Sequence, residues 1–115
     1  MSEIGANDTV RNVTGGLRAH VIEALRSIYD PEIPVNIYDL GLVYALDVDE
    51  ALGQVHILMT LTAPGCPVAQ TFPQTVEATV RATLGVKDVK VELVWEPPWT
   101  QDRMTEAARL QLGML

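Results

Sequence analysis

The sequence predicts a small α+β fold, an α/β sandwich with element order α-β-β-α-β-α, in which a three-stranded mixed sheet carries its helices on one face. Three observations predict it. Apolar residues recur at helical spacing in some segments, they alternate at strand spacing in others, and short clusters of turn-forming residues separate these blocks. At 115 residues the chain has the length of one compact domain, large enough to fold around its own core without a disulfide or a structural metal.

Residues 1–16 mix Gly, Asn, Asp and Thr without periodicity and read as a flexible N-terminal tail ahead of a single domain over 17–115. Leu17, Val21, Leu25 and Ile28 share one helical face, and Pro31 disfavours helical backbone at Asp30, so the first helix stops before it. The loop that follows, DPEIPVNIYDLG, is rich in turn residues. Leu42, Tyr44, Leu46 and Val48 then alternate onto one face of a first strand, and Val55, Ile57, Met59 and Leu61 onto one face of a second. The intervening residues EALG read as a hairpin turn.

A second helix is expected between Pro67 and Leu84, with Ala69, Phe72, Val76, Val80 and Leu84 near one stripe and Gly85 as its stop. Pro73 lies inside it and should kink or restart it, because its ring removes a helical hydrogen bond. The third strand places Val89, Val91, Leu93 and Trp95 inward, opposite Lys90 and Glu92, and Pro97-Pro98 end it. The connection from the second strand to the third is expected to be a right-handed crossover. Thr100 is a plausible N-cap for a last helix over QDRMTEAARLQL, closed by Gly113 and carrying the apolar stripe Met104, Ala107, Ala108 and Leu112.

Eight Lys or Arg against fifteen Asp or Glu give a formal charge of −7, and no basic run interrupts the acidic surface. Such a surface repels nucleic acid and anionic membrane alike. No apolar run approaches the roughly 20 residues needed to cross a bilayer, and the N-terminus has no apolar signal core, so a cytoplasmic protein is expected.

The single cysteine, Cys66, cannot by itself make an internal disulfide, nor supply the four ligands of a structural zinc site or a typical iron-sulfur cluster. It follows Pro64-Gly65 and precedes Pro67, a residue favoured at a helix start, where unpaired N–H groups and the helix dipole favour a thiolate. The competing reading is a small buried apolar side chain, for which a loop between two prolines is a poor setting.

Asp30, Glu32 and Asp39 supply carboxylates that suit hard metal ligation or acid–base work, but Asp30 and Asp39 also sit where turns beside Pro31 and Gly41 would use them. Trp95 continues an apolar strand face and reads as core. Trp99 reads as the better surface contact. His20 and His56 lack a second ligand nearby in sequence and read as ordinary histidines.

Taken together, DPEIPVNIYDLGLVY, MTLTAPGCPVAQ and GVKDVKVELVWEPPWTQDRMTEAARLQLGM resemble the SufT family of iron-sulfur cluster assembly factors, whose wider relatives include the eukaryotic cytosolic iron-sulfur targeting factor. The resemblance runs from about Leu17 to the C-terminus. It implies a small α/β domain without enzymatic turnover that assists maturation of iron-sulfur proteins.

Carried over by motif, Cys66 is the reactive cysteine, and Asp30, Glu32, Asp39 and Thr62 line its pocket. Trp99 and Arg103 belong to a stretch typical of the SufT branch. Ala63 stands where many relatives have a second threonine, and the extra C-terminal cysteines of the ring-oxygenase assembly relatives are missing.

The resemblance implies no stable cofactor but a transient iron or iron-sulfur contact at Cys66, with the assembly machinery and client apoproteins as partners. A second subunit in a homodimer, or a client, would complete the ligand set. Two other readings remain open at this point: a thiol-dependent enzyme with Cys66 as nucleophile beside Asp39 or Glu32, and an interaction module docking through Trp99 and the last helix.

Overall fold

The computed structural model describes residues 16–62 and 71–113. Helix α1 spans Gly16–Arg26, and Val21 and Leu25 are fully buried on the face predicted for them. No acidic residue occupies its first turn. The capping carboxylate comes instead from the hairpin turn, where Glu50 Oε1 accepts from the Leu17 N–H at 3.1 Å and complements the positive helix end.

Strands β1 (Val43–Asp49) and β2 (Gln54–Met59) pair antiparallel, and β3 (Asp88–Leu93) pairs with β2 in parallel, giving the order β1-β2-β3. On β2 the predicted alternation holds, with Val55, Ile57, Met59 and the following Leu61 all buried. Asp47, His56 and Lys90 stand in one row across the opposite face of the sheet.

The face of β1 differs from expectation at one residue. Between Val43 and Ala45 the register slips, so that Val43 faces Met59, Leu46 faces Ile57 and Val48 faces Val55, with Tyr44 as the inserted residue. Such a bulge re-aims one side chain without disturbing the rest of the strand. Val43 thereby joins the core, and the Tyr44 hydroxyl reaches out to Pro97.

Helix α3 spans Phe72–Arg81, with Phe72, Val76 and Val80 buried and the helix lying against β3 and α1. Pro73 sits in its first turn, where a missing N–H costs nothing, so it opens the helix rather than kinking it. The expected start at Pro67 and the stripe residue Ala69 lie outside the described residues, as do residues 1–15 of the tail. Leu84 is not on the stripe: it lies past the C-cap Ala82 and is 93% exposed.

Three expectations for the C-terminal part are corrected. β3 ends at Leu93, so Trp95 escapes the strand alternation and is exposed, whereas Trp99 is half-buried and packs against the core. Thr100 precedes only a 3-10 turn over Gln101–Arg103 and makes no side-chain cap bond there. The last helix, α4, spans Glu106–Gln111 and is capped by Thr105, whose hydroxyl oxygen accepts from the Ala108 N–H at 3.2 Å. Of the expected stripe, Met104 ahead of the helix, Ala108 within it and Leu112 at its C-cap face the core, while Ala107 is exposed.

A further short helix, α2 (Ile37–Leu40), was not predicted. It lies next to α1 and α4 and brings the loop before β1 under the C-terminal segment.

Candidate functional site

The loop from Asp30 to Gly41 is held by its own backbone before any side chain acts. Asp30 N–H donates to Val35 O at 3.1 Å and Ile37 N–H to Ile28 O at 2.8 Å, and Tyr29 and Asn36 form an isolated antiparallel bridge. Asp30 is buried, and its Oδ2 accepts from the N–H groups of Glu32 and Ile33, both at 2.8 Å. A buried carboxylate is costly unless such donors replace its water. Pro31 leaves no competing N–H between them. Glu32 itself is exposed.

Asn36 caps α2 reciprocally. Its Oδ1 accepts from the Asp39 N–H at 2.9 Å, and its Nδ2 donates to Asp39 Oδ2 at 2.9 Å, an arrangement akin to a capping box. Arg26 Nε lies 3.9 Å from Asp39 Oδ1, and its guanidinium sits 5.0 Å from the centroid of the Tyr38 ring. Asp30 and Asp39 are thus each bonded within their own turn. The N-x-x-D spacing of Asn36 and Asp39 was the signal that could have found this cap.

After β3 the chain crosses to the other end of this loop. Trp99 Nε1 donates to Leu40 O at 2.8 Å, Thr105 N–H donates to Asp39 O at 2.9 Å, and Gln111 Nε2 donates to Pro34 O at 3.2 Å. The Arg103 guanidinium lies over the Tyr44 ring at 4.3 Å, and the Tyr44 hydroxyl donates to Pro97 O at 2.7 Å. Gly41 has a φ of 82° and ends α2 in the left-handed region, with the Arg103 carbonyl so near that a Cβ would collide with it.

The structure therefore brings Asp39, Trp99 and Arg103 into one neighbourhood, with Asp30 on the same loop. Thr62 is half-buried beyond the end of β2. Cys66, with Ala63 and the rest of its proline-bounded segment, lies outside the described residues. Just before that segment, Thr60 is fully buried, its N–H donates to Leu42 O at 2.8 Å, and its hydroxyl has no partner among the described residues.

The helix-free face of the sheet carries a shallow depression of about 400 Å³ lined by Asp47, Asp49, Gln54, His56, Asp88 and Lys90. Beside it, Glu92 Oε2 lies 3.0 Å from Lys90 Nζ and 3.2 Å from His56 Nε2. The Lys90 hydrogen bond first, and that of His56 second, hold the Glu92 carboxyl below its usual range. His20 is exposed on α1. Among the described residues, no three His, Cys, Asp or Glu side chains are grouped to hold a metal ion.

Residues 18–93 match the model of the family described as iron-sulfur cluster assembly protein. This chain belongs to that family. The iron-sulfur assembly domain is 52% identical over 95 residues to a protein of Porphyromonas gingivalis called an Fe-S protein maturation auxiliary factor, covering 83% of this chain and 90% of that one. It is 38% identical over 87 residues to the maturation auxiliary factor SufT of Staphylococcus aureus, covering 76% of this chain and 98% of that one.

A crystal structure of a domain of unknown function from Bacillus anthracis superposes on this iron-sulfur assembly fold with a TM-score of 0.76 at 34% identity, over 86% of this chain and 93% of that one. The chain is of the SufT type, and its α+β architecture is that of its structural neighbours. The family match ends at residue 93, so the segment carrying Trp99 and Arg103 lies beyond it. No helix among the described residues is long and apolar enough to cross a membrane.

Proposed function

We propose that this protein is an accessory factor in the maturation of iron-sulfur proteins, in which Cys66 offers a thiolate to iron, to a cluster or to a client protein. The family match over residues 18–93 carries this reading, supported by the names of relatives that align over most of their length. The iron or cluster is cargo. With one cysteine in the chain, and no grouped ligand set among the described residues, a cluster needs thiolates from the assembly machinery, a client or a second copy of the chain. Incomplete ligation suits hand-over rather than storage. The same reading makes the protein a cytoplasmic carrier without turnover of its own, and puts Asp30, Glu32, Asp39 and Thr62 along the wall facing the thiol.

The test is anaerobic reconstitution with ferrous iron and sulfide, followed by absorption spectroscopy and client maturation for the wild type and Cys66→Ser. A visible chromophore lost in Cys66→Ser, with client maturation lowered and the far-UV spectrum unchanged, is the expected result. Equal client maturation by both proteins would overturn the role of the cysteine.

A further inference from the structure

We infer that the segment from Val94 to Gln111 is a clamp on the Asp30–Leu42 loop, and that Trp99, which bonds the loop backbone, and the Tyr44–Arg103 pair, which ties the segment to the start of β1, are positioning residues rather than contacts for a partner. The clamp rests on side chains from both partners. Trp99, Thr105 and Gln111 each spend a donor on a loop carbonyl, those of Leu40, Asp39 and Pro34 respectively. Tyr44, turned outward by the bulge, donates to Pro97 and receives the Arg103 guanidinium on its ring. Gly41 lets the Arg103 backbone come closer than any side chain would allow.

The bonded carbonyls belong to the C-terminal end of α2 and the turn before it. Helix α2 has only four residues, too few to hold itself by intrahelical bonds, so its geometry depends on what grips its ends. Asn36 grips one end and the clamp grips the other. Asp39, bonded to Asn36 through its side chain and to Thr105 through its carbonyl, is fixed by both. The indole N–H of Trp99 is spent inside the fold, which leaves an external partner without its most directional donor.

The functional part of the inference rests on the reading above, since it supposes that the loop flanks the working thiol. Hydrogen exchange read by mass spectrometry on the full chain separates the two. In Trp99→Phe, which keeps the ring packing and loses the N–H, and in Tyr44→Phe, which loses only the hydroxyl, amides of residues 36–42 should exchange about three- to tenfold faster, the change expected for loss of one bond. Amides of β2 and α3 should be unchanged, and Trp95→Ala, an exposed neighbour, should leave the loop protected.

Client maturation should fall in Trp99→Phe at a temperature where its β2 and α3 protection still matches the wild type. Unchanged loop exchange, or acceleration spread evenly over the chain, would overturn the clamp whatever Cys66 does. Faster loop exchange with full client maturation would overturn the positioning role, and maturation in Cys66→Ser, scored alongside, reports separately on the thiol.

Discussion

The Asp30–Gly41 loop and the helix-free face of the sheet both concentrate carboxylates, but they use them in opposite ways. In the loop, Asp30 is buried and accepts two backbone N–H groups, and Asp39 is locked to Asn36. On the sheet face, Asp47, Asp49 and Asp88 stand in solvent, and Glu92 pairs with Lys90 and His56 through side chains that are each 40% exposed or more. A charged hydrogen bond shielded from water is worth roughly 1.5–3 kcal/mol, whereas an exposed ion pair is screened by solvent and contributes little. The loop is therefore a built object, and the sheet face is a solvated surface rich in carboxylates.

The largest effect should follow from Gly41→Ala. The new Cβ meets the Arg103 carbonyl, and the left-handed φ of 82° is strained for alanine. A loss of about 3 kcal/mol or more is expected, seen as a fall in Tm of about 10 °C or more. A Tm within error of the wild type would show that the segment over Gly41 yields freely and that the loop is not rigidly built.

Next in size is Asp30→Ala, which leaves the Glu32 and Ile33 donors without their acceptor at a part-buried site. Urea unfolding should show a loss of about 2–3 kcal/mol at unchanged m-value, with Asp30→Asn recovering part of it because an amide oxygen still accepts. If Asp30→Ala were as stable as the wild type, the carboxylate would be free for chemistry and the contrast between the two regions would fail.

How far these regions were legible in the sequence follows from what sets them. Alternation over Val55, Ile57, Met59 and Leu61 was readable because each residue's face depends only on its neighbours in the strand. The bulge at Tyr44 was not, since a register slip is a property of the strand pair. The exchange of roles between Trp95 and Trp99 has a similar cause. Alternation ends where β3 ends, and the burial of Trp99 is set by the Leu40 carbonyl, 59 residues earlier in the chain.

In the candidate site, Asp30 and Asp39 read both as turn formers and as polar groups; Asp30 forms its turn, whereas the Asp39 side chain bonds Asn36 at the start of α2 and not the turn at Gly41. Helix α2 escaped because four residues carry no periodicity, although the Asn36 cap and Gly41 stop were both in plain view. Thr100 reads as the cap in the sequence, but the helix starts five residues later, at Thr105. Packing of Met104 and Ala108 chose the later one.

The smallest effect, and the one that bears most directly on the sheet face, is that of Glu92→Gln. Lys90 and then His56 lower the Glu92 pKa in the folded protein, whereas in the unfolded chain the group titrates near its ordinary value of 4.5. Between the lowered and the ordinary value, the unfolded state binds more protons than the native one, so stability rises with pH through that window. The contribution is complete above the ordinary value and is lost as pH falls through the folded one.

In Glu92→Gln that component is absent. Urea midpoints for wild type and variant should converge as pH falls below the lowered carboxyl range and separate slightly above the ordinary one. Salt at about 1 M should erase the separation, because the group is exposed and its partners are screened. A difference at neutral pH as large as that of Asp30→Ala would mean that the Lys90–Glu92–His56 cluster is shielded from solvent in solution. The helix-free face would then have to be covered by something other than water.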